Sequence, residues 1–261
     1  MLPVIRERYL AIIIMDIIGS TRFVEKVGHV RASRHMNYHD RLARTLIYRY
    51  KGREIDRSDG FLLSFESVND AVAFALAYQG QVPLKTKLHC RIGIHWSIMA
   101  ELTMHELDLG NKKLELEGVG KSITARTMSI CQAGQILLTK EAMNKLYATN
   151  ETRNARRACV GLYKFKGVKT PMELWAIGVN YKDLQPPAGS EKVKRLGGAK
   201  KIKQRARDRK IMDWGAWLFW RVGIINLCWL IYTLWPWLVS KHGRLILKDY
   251  LYPLYFLVDL F

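Results

Sequence analysis

Across residues 10–22, LAIIIMDIIGSTR, an apolar run ends on Asp16 and turns through Gly19-Ser20-Thr21 into a charged segment. An acidic residue at a strand end, followed by a small-residue turn and a helix N-terminus, suits a divalent cation and the phosphates it neutralises. A second acidic residue, Asp59, falls in Ser58-Asp59-Gly60 between residues 53–57 and 61–65. That is a β-hairpin signature with a carboxylate in its tight turn, although Asp-Gly also serves simply to make such a turn. His89, Cys90 and His95 lie on or beside one strand, where neighbours face opposite sides, so they do not read as a metal cluster. The sequence contains no P-loop, GxSxG or HExxH motif, which argues against NTPase, serine hydrolase and zincin chemistry.

The elements that must position these residues follow from periodicity. Residues 22–50 are charged and free of proline, and fit one or two helices with a break at Gly28-His29. Residues 68–81 place Ala71, Phe74, Ala75 and Tyr78 at helical spacing, which predicts a helix lying on a sheet. Residues 88–99, containing RIGIH, read as a strand, and 100–116 as a further strand with a loop. Residues 118–131 predict a helix with Arg126 near its middle. A short strand at 134–139, a helix at 140–147 and two closing strands at 162–166 and 172–177 complete the set. The order is β-α-β-β-α-β with further α and β elements. It implies an α+β, ferredoxin-like fold with helices on one face of a mainly antiparallel sheet.

The 261 residues, 49% of them hydrophobic, are enough for one full core and a substantial appendage. The net charge of +19 points to anionic partners. Between Glu191 and Lys210, ten basic residues stand against two acidic ones, a net +8 in a segment that also carries Pro186-Pro187 just upstream. Residues 214–239 then form a 26-residue apolar stretch with a single charge, Arg221, and tryptophans near both ends. Its length suits about 30 Å of hydrocarbon, with the tryptophans at the interfaces. The basic run before it is expected to meet anionic lipid headgroups rather than nucleic acid, and to keep the N-terminal portion cytoplasmic. Residues 245–261 read as an interfacial helix or a short second span. The expected organisation is a catalytic domain at 1–181, a basic linker at 182–210 and a membrane-associated region at 211–261. Four cysteines without CxxC spacing read as free thiols in a reducing compartment.

Read together, IIMDIIGST, IDRSDGFLLSF and GVGKSITARTMSICQAGQILL, closed by FKGVKTP, resemble the class III nucleotidyl cyclase family across roughly residues 9–177. The resemblance implies conversion of a nucleoside triphosphate to a 3′,5′-cyclic nucleotide and pyrophosphate, with two Mg²⁺ or Mn²⁺ ions per site. Asp16 and Asp59 match the family's metal-binding aspartates, with Ile17 beside them. The backbone from Ile17 through Gly19, Ser20 and Thr21 would cradle the terminal phosphates. Arg126, eight residues before Gly134, matches the transition-state arginine, and Lys166 in FKG matches the lysine on the terminal phosphates. The family completes each site from two subunits of a head-to-tail dimer, so a homodimer with two composite sites is implied.

Departures from the family pattern bear on the base. Ser122 stands where the family has a ribose-orienting Asn, and Val119 where adenylate cyclases have an Asp or Thr that touches the base. The strand before Asp59 is one residue short and lacks the purine-contacting lysine; Arg57 or Asp56 stands nearest. Val119 offers no acceptor for an exocyclic amino group, whereas Arg57 could donate to a carbonyl oxygen. The base therefore leans towards a pyrimidine (UTP or CTP), as in family members of bacterial anti-phage signalling, with ATP as the alternative. A catalytically silent, membrane-anchored nucleotide-binding module is the rival reading.

Overall fold

The computed structural model describes residues 4–57, 60–105 and 112–198. Asp59, most of the basic run and the apolar stretches at 214–239 and 245–261 lie outside the described residues. The chain divides after Ile202, so everything described belongs to one unit.

Strand β1 (Val4–Ile17) is central. It pairs antiparallel with β3 (Gly60–Phe65) on one side and β4 (Cys90–His105) on the other. Beyond β3 lies β2 (Arg53–Asp56), and β5 (Lys112–Glu117) pairs with part of β4. On the other flank, β4 runs parallel to β6 (Ile136–Thr139), followed by β8 (Met172–Gly178), β7 (Arg156–Phe165), β10 (Val193–Gly197) and β9 (Gly189–Ser190). All other strand pairs are antiparallel.

Strand β1 does not alternate apolar and polar residues because both of its faces are covered. Ala11, Ile13, Met15 and Ile17 join the main core with residues of α2 (His29–Arg49) and α3 (Val68–Thr86), including Phe74 and Tyr78, which are fully buried. Leu10 and Ile12, also fully buried, pack on the opposite side with Met99 and Leu116. Helix α4 (Val119–Ser129) crosses that opposite face. A Cβ added at Gly93 would stand 2.6 Å from the Met128 nitrogen and 2.7 Å from the Thr124 carbonyl oxygen, so the helix backbone rests directly on the strand. Thr124 and Thr127 are buried in this contact because their hydroxyls donate back to the Gly120 and Ile123 carbonyls, at 2.7 and 2.9 Å. The expectation of helices on one face only is therefore corrected: a strand apolar on both sides needs a cover on each. Helix α5 (Lys140–Lys145) returns to the main core through Ala142.

Helix α1 (Ser20–Val27) precedes α2, with the break at Gly28, as the sequence predicts. The expected linker at 182–210 is corrected in its first part. Residues 181–184 form a 3-10 turn, and β9 and β10 add to the sheet, with Val193 fully buried beside Phe165. A short polar segment extends the sheet when a neighbouring edge strand offers its free hydrogen-bonding groups.

Candidate active site

Asp16 occupies the last turn of the pleat in β1, on the face shared with Leu10, Ile12 and Ile14. Its neighbour across β3 is Gly60 and across β4 is Arg91. Gly60 has to be glycine: an added Cβ would lie 2.0 Å from the Met15 carbonyl oxygen. Gly60 thus lets two backbones close on each other beside Asp16. Arg91 lies on the same face and grips Asp16 Oδ2 through Nε at 3.1 Å and Nη2 at 2.7 Å. Its Nη1 donates to the Ser129 carbonyl at 3.2 Å, which joins the C-terminal end of α4 to the same cluster. Both side chains are about a quarter to a third exposed, at 25% and 30%, so the pair sits at a rim open to water.

Asp16 opens onto a cleft of about 330 Å³. Ile14, Leu62 and Met128 supply its apolar wall, Gly60 its backbone edge, and Asp56 a second carboxylate. Asp56 reaches this face through an irregularity in β2: Glu54 pairs with Leu63, but Asp56, not Ile55, pairs with Leu62. The bulge turns Ile55 and Asp56 to the same side and sends Arg57 to the other. Arg57 there donates to both carboxylate oxygens of Asp40 on α2, at 3.0 and 2.9 Å, and lies over the Phe61 ring. Burial opposes ionisation of Asp40, but hydrogen bonds from His39 and Arg57 outweigh it and hold the carboxyl below its ordinary range. The chain of contacts continues inward from Asp40 to His39, Tyr78 and Cys90, all buried. Burial pushes the Cys90 thiol up to about 12, so it stays a neutral thiol at the inner end of this network.

At the end of β1 the Ile18 amide donates to the His89 carbonyl at 2.9 Å, and Gly19 takes φ +73° to start α1 at Ser20. No side chain caps this helix, so Ser20 and Thr21 do not satisfy the first amides as an N-cap would. A helix start with open amides, four residues after Asp16, is a place for phosphate oxygens.

The second group of sequence-predicted residues lies on α4 and the β7–β8 turn. Val119 is 69% exposed, Ser122 is exposed, and Arg126 is half-buried one turn further on, so the three form one stripe at spacings of three and four. Lys166 is exposed at the turn, and a Cβ on Gly167 would lie 3.8 Å from Arg126 Nη2. The structure therefore gathers Arg126 and Lys166 at one place and Asp16, Ile17 and Asp56 at another. The lining of the Asp16 cleft includes neither Arg126 nor Lys166. Sequence reasoning missed Arg91; its position in RIGIH carries no signal until the β1–β4 register puts it opposite Asp16.

Among the described residues, the Asp16 carboxylate with the main chain of Ile17 beside it offers the hard oxygen donors that suit Mg²⁺ or Mn²⁺. Among the described residues no three His, Cys, Asp or Glu side chains converge, and Asp59 lies outside them. His95 is buried on Thr139 Oγ1 at 2.8 Å, in keeping with a structural role.

The fold is that of class III adenylate and guanylate cyclase catalytic domains. The adenylyl cyclase CyaB from P. aeruginosa superimposes with a TM-score of 0.60 at 16% identity, covering 69% of this chain and 99% of that one. The guanylyl cyclase Cya2 gives 0.57 at 20% identity, covering 71% and 100%. The guanylate cyclase domain of RhGC from Catenaria anguillulae, in complex with GTP, gives 0.56 at 16% identity, covering 66% and 97%. No protein-family model and no curated protein matches the sequence.

Proposed function

We propose that this chain is a nucleotidyl cyclase that closes a nucleoside triphosphate into a 3′,5′-cyclic nucleotide and releases pyrophosphate. The observation that carries the reading is Asp16, set at a strand end between an open cleft, an uncapped helix start and the guanidinium of Arg91. Asp16, the main chain of Ile17 and Asp59 would hold two divalent cations, which when bound lower the pKa of the ribose 3′-hydroxyl and neutralise the leaving pyrophosphate. The amides at Gly19, Ser20 and Thr21 receive the terminal phosphates. Arg91, paired with Asp16 in this structure, would be free to offer its fork to phosphate oxygens once a cation takes the carboxylate. Arg126 stabilises charge growing on the α-phosphoryl oxygens, Ser122 orients the ribose and Lys166 holds the terminal phosphates. Because Arg126 and Lys166 stand apart from the Asp16 cleft, each site is completed by the second subunit of a homodimer.

For the base, Asp56 replaces Arg57 as the residue that meets it. A carboxylate accepts the N3–H of uracil and the exocyclic amino group of cytosine or adenine alike, so the lean towards a pyrimidine (UTP or CTP) rests on Val119, which offers no acceptor, with ATP as the alternative. Purified protein with Mn²⁺ and each of the four triphosphates tests both levels. Formation of cyclic UMP or cyclic CMP, abolished by Asp16→Ala, is the expected result. Turnover of ATP alone would overturn the base, and turnover that survives Asp16→Ala would overturn the cation assignment.

We read residues 214–239 as a membrane anchor, with the basic run before them on anionic headgroups and the catalytic unit on the cytoplasmic side. Among the described residues no helix is long and apolar enough to cross a membrane. Full-length protein is expected in the membrane pellet after an alkaline wash; release into the supernatant would sink the anchor.

A further inference from the structure

The segment 181–197 closes the described unit, and each of its parts holds a loop on the Arg126 side of the molecule. The Lys166 amide donates to the Lys192 carbonyl at 2.9 Å. Val193 pairs with Phe165, and both are fully buried. Tyr163 donates its hydroxyl to the Pro187 carbonyl at 2.8 Å. The β7–β8 turn that begins at Phe165 is therefore tied to β10 at the residue that bears the Lys166 ammonium. The same segment reaches the loop after α4: Gln135, 1% exposed, donates through Nε2 to the Asp183 carbonyl at 3.0 Å and the Gln185 carbonyl at 2.7 Å. Strand β7, which leads into that turn, also lies backbone-close to this segment, since a Cβ on Gly161 would meet the Gly197 carbonyl oxygen at 2.5 Å.

We propose that residues 181–197 are a brace that sets where Lys166 stands relative to Arg126, making the β9–β10 hairpin a positioning element for triphosphate binding. The proposal rests on Lys166 meeting the terminal phosphates. The reasoning is geometric. Lys166 is exposed, at a turn whose Gly167 takes φ +79°, so its direction is fixed by what holds the turn's backbone. The turn's own hydrogen bond, Val168 amide to Phe165 carbonyl at 3.1 Å, shapes it but anchors it to nothing. The Lys192 carbonyl and the Val193–Phe165 contact anchor it to the sheet. Gln135 does the same for the loop that follows Arg126's helix. One segment thus fixes both cationic arms, and its hairpin depends on Gly189, where φ is +108° and a Cβ would lie 2.6 Å from the Val193 carbonyl oxygen.

The test is Gly189→Ala in the full chain, alone and with Lys166→Ala. Freed of its brace, the turn should lose the ordered contact from Lys166. The expected result is a KM for the triphosphate raised about three- to tenfold at nearly constant kcat, the size of one misplaced charge-assisted hydrogen bond. In the Lys166→Ala background the same substitution should add almost nothing, because both changes remove one interaction. Amide exchange of the peptide containing Lys166 should accelerate in Gly189→Ala. Faster exchange with unchanged KM overturns the brace, as does an equal effect with and without Lys166. Should Gly189→Ala fold poorly, Val193→Ala thins the same Phe165 contact and is read by the same cycle. The unsubstituted chain keeps the two levels apart: no cyclic nucleotide from any of the four triphosphates overturns the cyclase reading, whereas cyclic product with additive Gly189 and Lys166 effects overturns the brace alone.

Discussion

Two missing side chains make the Asp16 site. Gly60 admits β3 to the end of β1, and Gly93 admits α4 to β4, and the ion pair of Asp16 with Arg91 forms where these two close approaches meet. A different residue gives the unit a pH dependence. His95 is buried, and burial pushes its pKa down, with the Glu141 carboxylate only partly opposing. The unfolded chain then binds the proton more readily than the folded one. The stability that neutral His95 contributes is fully present above its ordinary value of about 6.5 and is lost as pH falls through the depressed folded value. His95→Asn keeps a polar partner near Thr139 without a titrating group. Urea midpoints measured between pH 8 and 5 are expected to fall more steeply for the wild-type chain than for His95→Asn. Parallel curves would show that His95 is not the group responsible.

At the scale of elements, the order of strands and helices was legible because β1, α3 and β4 bury long apolar stretches whose periodicity survives in the sequence. Gly28 and Gly118 mark helix starts that the sequence also shows. What could not be read is where the chain departs from regular pairing. The bulge in β2 decides that Asp56, rather than Arg57, faces the cleft, and a one-residue shift exchanges every side chain between faces. Sequence spacing alone left both residues open, and the weight placed on Arg57 donating to a base carbonyl moves to Asp56 accepting a base N–H. Arg91 was hidden for a related reason: its partnership with Asp16 exists only in the β1–β4 register, between residues 75 apart in sequence. The hairpin at β9 and β10 was hidden by composition. Of its strand residues only Val193 is buried, so a Pro- and Lys-rich segment that completes the sheet reads as a tether.

For the whole molecule, the separation of the two residue groups makes a prediction about assembly. Asp16 and Asp56 share a cleft that Arg126 and Lys166 do not line, while Arg126 reaches towards Gly167 in the β7–β8 turn that carries Lys166. If two copies pair head to tail, the Asp16 cleft of one protomer receives the Arg126 stripe of its partner, and two identical sites result. Asp16→Ala and Arg126→Ala should then each be inactive alone, Arg126→Ala losing on the order of a hundredfold or more by analogy with other electrostatic stabilisers. Mixed under conditions that exchange subunits, they form a hybrid in which one site has both defects and the other has none. Random pairing makes half the dimers hybrids with one working site of two, so roughly a quarter of wild-type turnover should return. A single chain that completes its own site would show no recovery on mixing, because every active centre would retain a defect. Dilution gives the second arm of the same experiment: specific activity of the wild-type protein should fall as the dimer dissociates, while a self-sufficient protomer would hold it constant.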